Sequence, residues 1–392
     1  MTNIDQSRRE NKLMAATLFA FFVSGAACQS LGPLIPFLRS EYSLSYDFSG
    51  IMLSCQSIGN LAAVFLSGFL PSILGRRKTI LIMSIWMGIS YLLIAGGFFG
   101  AAILPLACLM MGVAKGGNAN FSNTMMSTLP GKKSAIGYNL LHGAFAIGAL
   151  LSPLVIIACT KNDQNGWKLM AYALLVLCLI QFIVYIKMPL PPENIKKSIK
   201  SVDKSFLKNR SFWLGAAILF FYISTEYAIT GWLVTYFQDI GVLSAKMSQM
   251  MSSLLWLVMF TGRMIGALIV GKVSRKLLLM IDGVGLFVCF LIVFFSRTEL
   301  PIVLGIMGVG LFMATIYTTA MALGTDSIKG NDLGVSNMIL AGSIGGILTP
   351  AAVGLVAERA GIQAGMGVVV MMTVFLLISI IISAVSKDVK DM

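Results

Sequence analysis

The chain has 392 residues, 57% of them hydrophobic and only 11% charged, where an ordinary soluble domain carries roughly a quarter charged residues. This composition excludes a typical cytosolic enzyme. The net charge of +13 would raise nucleic acid as a partner in a soluble protein, but the cations fall almost wholly between apolar runs, so no nucleic acid is expected. The runs themselves reach the ~20 residues that an α-helix needs to cross ~30 Å of hydrocarbon. The fold class predicted is an all-α membrane protein.

Twelve spans are predicted in chain order. The first, Leu13 to Leu38, follows a basic stretch but is too long for a signal peptide and lacks a small-residue cleavage pattern, so it reads as a retained span. Gln29 lies in it. Span 2 runs from Phe48 to Leu74, span 3 from Thr79 to Phe99 and span 4 from Ala101 to Leu129. Span 4 is unusually polar: Lys115 is followed by Asn118, Asn120, Ser122 and Asn123. At 100° per residue, Asn118, Ser122 and Asn123 lie within about 80° of Lys115, with Asn120 further round. Amides both donate and accept, which suits hydroxyl-rich ligands; helix-to-helix hydrogen bonding is the alternative use. Span 5, Ser134 to Thr160, carries His142, whose imidazole titrates near neutrality and suits a proton path or plain packing. Span 6 runs from Leu169 to Met188.

A polar linker, Pro189 to Arg210, separates the halves. It includes Lys196, Lys197, Lys200, Lys204, Lys208 and Arg210 against Glu193 and Asp203. The boundaries expected are an N-terminal six-helix bundle over 1–188, the linker over 189–210 and a C-terminal bundle over 211–392. Span 7, Phe212 to Phe237, places Tyr222, Glu226 and Thr230 on one face with Trp232 beside it. Span 8, Met247 to Gly271, carries Arg263, and span 9, Leu277 to Phe295, carries Asp282; these two read as a structural pair or gate. Spans 10, 11 and 12 run from Pro301 to Leu323, Leu333 to Ala357 and Gln363 to Val385, with Tyr317 and Asn337 as further ligand candidates.

Ionisable groups inside hydrocarbon cost about 2.5–3.5 kcal/mol at a helix centre, so each needs a reason. Lys115 and Glu226 both lie about 14 residues into their spans, ~21 Å deep at 1.5 Å per residue, near the level where transporter substrate sites are found. The functional reading is that both line a shared aqueous cavity, contact substrate, and that Glu226 changes protonation in the cycle. The alternative is a buried structural ion pair.

Cations set the orientation. With both termini cytoplasmic, 21 of the 29 Lys and Arg residues fall inside, six outside (Arg39, Lys161, Lys168, Lys246, Arg297, Arg359) and two within spans, the asymmetry expected of an inner-membrane protein. All six cysteines lie in apolar runs without C-x-x-C spacing and there is one histidine; neither a metal nor any other cofactor is expected. No phosphate-cradling G-x-x-x-x-G-K-[ST] loop occurs, so ATP is not the evident energy source, and no enzymatic activity is expected.

The halves echo each other. Gly148-Ala-Leu-Leu-Ser-Pro153 of span 5 matches Gly345-Gly-Ile-Leu-Thr-Pro350 of span 11, and Met111-Gly-Val-Ala114 of span 4 matches Met307-Gly-Val-Gly310 of span 10. Gly59 with Gly68 likewise matches Gly262 with Gly271. A period near 200 residues is the mark of a two-repeat transporter.

Twelve spans in two repeats around a long central loop resemble the major facilitator superfamily. Its signature between spans 2 and 3 reads G-x-L-x-D-R-x-G-R-[RK]. Here Gly68, Gly75, Arg76, Arg77 and Lys78 fit, while Ser72 and Ile73 stand where Asp and Arg belong. Glu226 followed by Trp232-Leu233 and Tyr236, Gly262-Arg263, and Asn139-Leu-Leu-His142-Gly143 resemble the fucose:proton symporter branch. The resemblance implies alternating access around a site lined by spans 1, 4, 7 and 10, Lys115 and Glu226 coming from opposite halves. It implies proton-coupled movement of a small polar solute, a sugar or sugar derivative, by a monomer in the lipid bilayer. Branch members commonly couple through acidic residues in the N-terminal half; here span 4 has Lys115 instead. A sugar acid as substrate, uniport, or coupling moved to Glu226 would follow. A drug or metabolite exporter of the same fold is the rival.

Overall fold

The computed structural model describes residues 3–190, 205–269, 272–326 and 332–386. Glu193, Lys196, Lys197, Lys200, Asp203 and Lys204 of the linker, and Gly271 of the repeat, lie outside them. The described residues form helices joined by short turns, with no strand among them. In order these are α1 (Asn3–Gln29), α2 (Leu31–Tyr42), α3 (Tyr46–Leu74), α4 (Arg76–Gly96), α5 (Leu104–Ser127), α6 (Gly131–Cys159) and α7 (Gly166–Lys187), then α8 (Arg210–Asp239), α9 (Ala245–Ile269), α10 (Arg275–Phe295), α11 (Glu299–Asp326), α12 (Asp332–Ala360) and α13 (Ile362–Val385). Twelve of the helical stretches are long and apolar enough to cross a membrane, as the sequence predicts.

The largest departure is at the first span. The helix starts ten residues before Leu13, and the apolar run breaks at Ser30 into α1 and α2. The cause is Pro33. It has no N–H to donate to the Gln29 carbonyl, so the ladder is interrupted one turn earlier. At the break the Ser30 hydroxyl lies 2.9 Å from the Ala27 carbonyl and 2.6 Å from the Tyr91 hydroxyl.

By its contacts the chain divides into two compact units, Met1–Leu44 with Cys55–Ser198, and Ser45–Ser54 with Ile199–Met392. In the first unit α1 packs on α6, α5 and α7, and α4 on α5 and α7; in the second α8 packs on α12, α13, α11 and α9, and α10 on α11 and α13. The opening turns of α3 belong to the second unit. There the Tyr46 amide donates to Glu358 Oε2 at 2.7 Å, the Tyr46 hydroxyl to Asp239 Oδ2 at 2.8 Å, and Ser54 Oγ to the Ile347 carbonyl at 2.6 Å.

Lipid tails are as apolar as leucine, so these helices associate through close packing and hydrogen bonds rather than by escape from water. The repeated glycine motif shows how. A Cβ on Gly148 of α6 would overlap the Phe22 carbonyl of α1, and one on Gly345 of α12 would overlap the Phe220 carbonyl of α8. The sequence echo is therefore one backbone contact made twice. Large apolar side chains such as Phe69, Leu268 and Phe295 stay exposed on the outer faces, where hydrocarbon would meet them.

Candidate functional site

The turn between α3 and α4 is built as its sequence demands. Gly75 takes φ 78°, a conformation costly for residues with a Cβ, and α4 begins directly after it. Arg77 then reaches the end of α7, donating to the Met188 carbonyl at 2.8 Å, to the Tyr185 carbonyl at 3.2 Å and to that of Ile186. A guanidinium on the last carbonyls of a helix satisfies orphan acceptors and opposes the negative end of its dipole. Gly68 lies in α3, six residues before its end. The signature's acidic and basic positions have other uses here: Ser72 turns its hydroxyl onto the Phe69 carbonyl at 2.7 Å, and Ile73 is exposed.

In the first unit, Lys115 is half-buried on α5 and within electrostatic reach of Cys28 on α1. Gln56 of α3 donates to the Cys28 carbonyl at 3.0 Å and to Met111 Sδ at 3.1 Å. Gly112 and Gly116 bracket Lys115, and a Cβ on either would run into the α3 backbone at Gln56 or Asn60. Small residues thus bring α3 close to the lysine. Asn60 is a candidate that the sequence reading missed; it lies one helical turn beyond Gln56, and that spacing was its signal. Gln29 and Asn123 are half-buried, and His142 is exposed with its ring edge-on to Phe21 at 6.0 Å.

Two polar neighbours of Lys115 are buried. Asn118 is 3% exposed; its amide donates to the Ala20 carbonyl at 3.1 Å and accepts the Tyr185 hydroxyl at 2.8 Å. Ser122 is wholly buried beside Tyr185. Both were expected to touch ligand, and both are instead sealed between α1, α5 and α7. Asn120, on another face, donates to Ser67 Oγ at 2.6 Å.

In the second unit Glu226 is half-buried on α8, within electrostatic reach of Tyr222 and of Tyr317 on α11, and Arg263 of α9 is within reach of the same Tyr222. Tyr227 adds to this group through Tyr317 and was not singled out from sequence. Thr230 is half-buried and bonds back to the Glu226 carbonyl at 2.8 Å, and Asn337 is half-buried on α12. Tyr222 and Trp232, expected as ligand contacts, are fully buried: Tyr222 donates to the Met313 carbonyl at 2.9 Å and the Trp232 indole to the Pro350 carbonyl at 3.1 Å. The structure gives Arg263 and Asp282 separate partners instead of each other. Asp282, 5% exposed, accepts the Thr315 hydroxyl, while Arg263 donates to Met259 Sδ at 3.7 Å.

Comparison with known proteins fits this architecture. A putative glucose/galactose transporter of Helicobacter pylori strain J99 is 23% identical over 277 residues, 67% of each chain. The crystal structure of a D-xylose-proton symporter superposes with a TM-score of 0.79 at 14% identity, covering 95% of this chain and 97% of that one. The Escherichia coli fucose:proton symporter superposes with a TM-score of 0.63 at 16% identity, over 96% and 98% of the two chains, in keeping with the branch resemblance in the sequence. The family model described as Major Facilitator Superfamily matches residues 17–340. With twelve apolar helices, a glycine motif repeated in both halves and this match over most of its length, the chain belongs to the Major Facilitator Superfamily.

Proposed function

We propose that this protein is a secondary transporter that carries a small polar solute, a sugar or sugar derivative, across a bacterial inner membrane by proton-coupled alternating access. The observation that carries the proposal is Glu226: a carboxylate near mid-span, half-buried and within electrostatic reach of Tyr222 and Tyr317 of its own unit. A charge at that depth is retained only where it has partners and a task, and a carboxylate that gains and loses a proton is the simplest coupling element. Lys115 is its counterpart in the first unit. The groups proposed to meet solute are Lys115, Gln29 and Asn123 of the first unit, and Glu226, Thr230, Tyr317 and Asn337 of the second, with His142 on the proton route. The sugar class draws support from the H. pylori relative's name. The count of cations puts both termini in the cytoplasm. One observation favours a second substrate class: the first unit's mid-span charge is positive, which suits a sugar acid better than a neutral sugar. Thermal unfolding of the purified protein with neutral and acidic sugars at two pH values tests both, because a ligand that binds only the folded state raises apparent stability. A shift with some member of either set is the expected result; no shift with any member would overturn the substrate class.

A further inference from the structure

Arg263 has more binding capacity than the second unit uses. A guanidinium carries five N–H donors and keeps its charge at any accessible pH. Among the described residues its hydrogen-bond acceptor is Met259 Sδ, at 3.7 Å, and a thioether is a weak acceptor. Asp282, the buried acid of the next span, accepts from Thr315 instead.

The arginine does not face the lipid side of its helix. The exposed apolar residues of α9, Leu257, Met264, Ile265 and Leu268, are turned about 100° to 160° away from it at 100° per residue. The buried residues Ser252, Trp256 and Met259 lie within about 40° of it. Across from this face is α8, where the buried Tyr222 is within electrostatic reach of both Arg263 and Glu226. Gly262 and Gly266 fix the placement, since a Cβ on either would overlap Ala314 or Thr315 of α11. A half-buried arginine costs free energy inside a span, and this one spends little of its donor set on the fold. It is held ready for a group that the fold does not contain.

The chemistry of that group follows from the fork. Two parallel N–H donors match a carboxylate or a phosphate. A phosphate monoester carries roughly two negative charges near neutral pH, whereas one guanidinium neutralises one, the charge of a carboxylate. A neutral hydroxyl would be served by an amide without burying charge.

We propose that Arg263 binds the carboxylate of the solute, which is therefore a sugar acid; the inference rests on the sugar-transport reading above and narrows it. The test is thermal unfolding and titration calorimetry of the purified full-length protein with two matched pairs, D-glucuronate against D-glucose and D-gluconate against D-glucitol. Each pair differs only in a carboxylate replacing a hydroxymethyl group. At least one acid should raise the apparent Tm above the value its neutral partner gives. In Arg263→Gln the Kd for that acid should rise at least about tenfold, and in Arg263→Lys, which keeps the charge but loses the fork, by less. Ligand-free Arg263→Gln should unfold no earlier than the wild-type protein; earlier unfolding would make the arginine part of the fold and overturn the proposal. Shifts with the neutral members alone would overturn the carboxylate and leave sugar transport standing, whereas no shift with any of the four would overturn both. An acid bound equally well by Arg263→Gln would overturn Arg263 as the site. A larger shift with glucose 6-phosphate than with D-glucuronate would overturn the carboxylate in favour of a phosphate.

Discussion

Arg77 and Lys276 perform the same task in the two halves of the chain. Arg77, at the start of α4, donates to the carbonyls that end α7, and Lys276, at the start of α10, donates at 2.9 Å to the Ser386 carbonyl just past the end of α13. A side chain of the third membrane span of each half therefore caps the sixth. Of the signature's basic residues Arg77 acts here as a helix cap, a role that needs neither the acid nor the arginine replaced by Ser72 and Ile73.

Replacing either cap should cost stability. Arg77→Ala and Lys276→Ala are each expected to destabilise by about 1.5–3 kcal/mol, the range for hydrogen bonds that involve a charged group, and the double variant by about the sum, since the two caps share no partner. Thermal unfolding in detergent reads this; Arg77→Lys, which keeps the charge but loses the fork, should fall between.

The glycine contacts predict a sharper loss. Gly148→Leu or Gly345→Leu forces a side chain into a backbone carbonyl of α1 or α8, and backbone cannot give way as a flexible side chain does. Folded yield should collapse for both. Gly367→Leu is the control, because a Cβ there meets nothing within 4 Å; monodisperse protein for it, and aggregated protein for the other two, is the expected gel-filtration result.

Asn118 separates structure from binding. Asn118→Leu leaves the Ala20 carbonyl and the Tyr185 hydroxyl without their partner and should cost about 1–3 kcal/mol of stability, with solute affinity unchanged per folded molecule. Lys115→Ala should do the reverse for an anionic solute, lowering affinity by at least about tenfold, one favourable charged contact, with a smaller effect on unfolding. Titration calorimetry beside thermal unfolding distinguishes the two outcomes.

The twelve spans are legible in sequence because uncharged runs of about twenty residues have no other stable use. The first helix was not, since Arg8, Arg9 and Lys12 end the apolar run while the helix continues past it, and the break at Ser30 appears three residues before the proline that causes it. Depth and charge single out Lys115 and Glu226 in the sequence as candidates. Partners were not legible there. Helical periodicity gave Asn118 and Ser122 a face shared with Lys115, yet that face also meets α1 and α7. An amide in hydrocarbon serves a neighbouring carbonyl as well as a ligand. Tyr222 and Trp232 failed for the same reason: their polar atoms found the Met313 and Pro350 carbonyls. Arg263 and Asp282 looked like a pair because they are opposite charges on consecutive helices, and only packing reveals that Thr315 of α11 reaches Asp282.

Glu226 carries the account, and solute uptake driven by an imposed proton gradient in proteoliposomes measures its role directly. With the sugar that gives the largest thermal shift, the wild-type protein should accumulate solute above equilibrium when the outside is acid. Glu226→Gln should only equilibrate it, while still exchanging labelled for unlabelled solute. Accumulation by Glu226→Gln at the wild-type level would contradict the coupling mechanism.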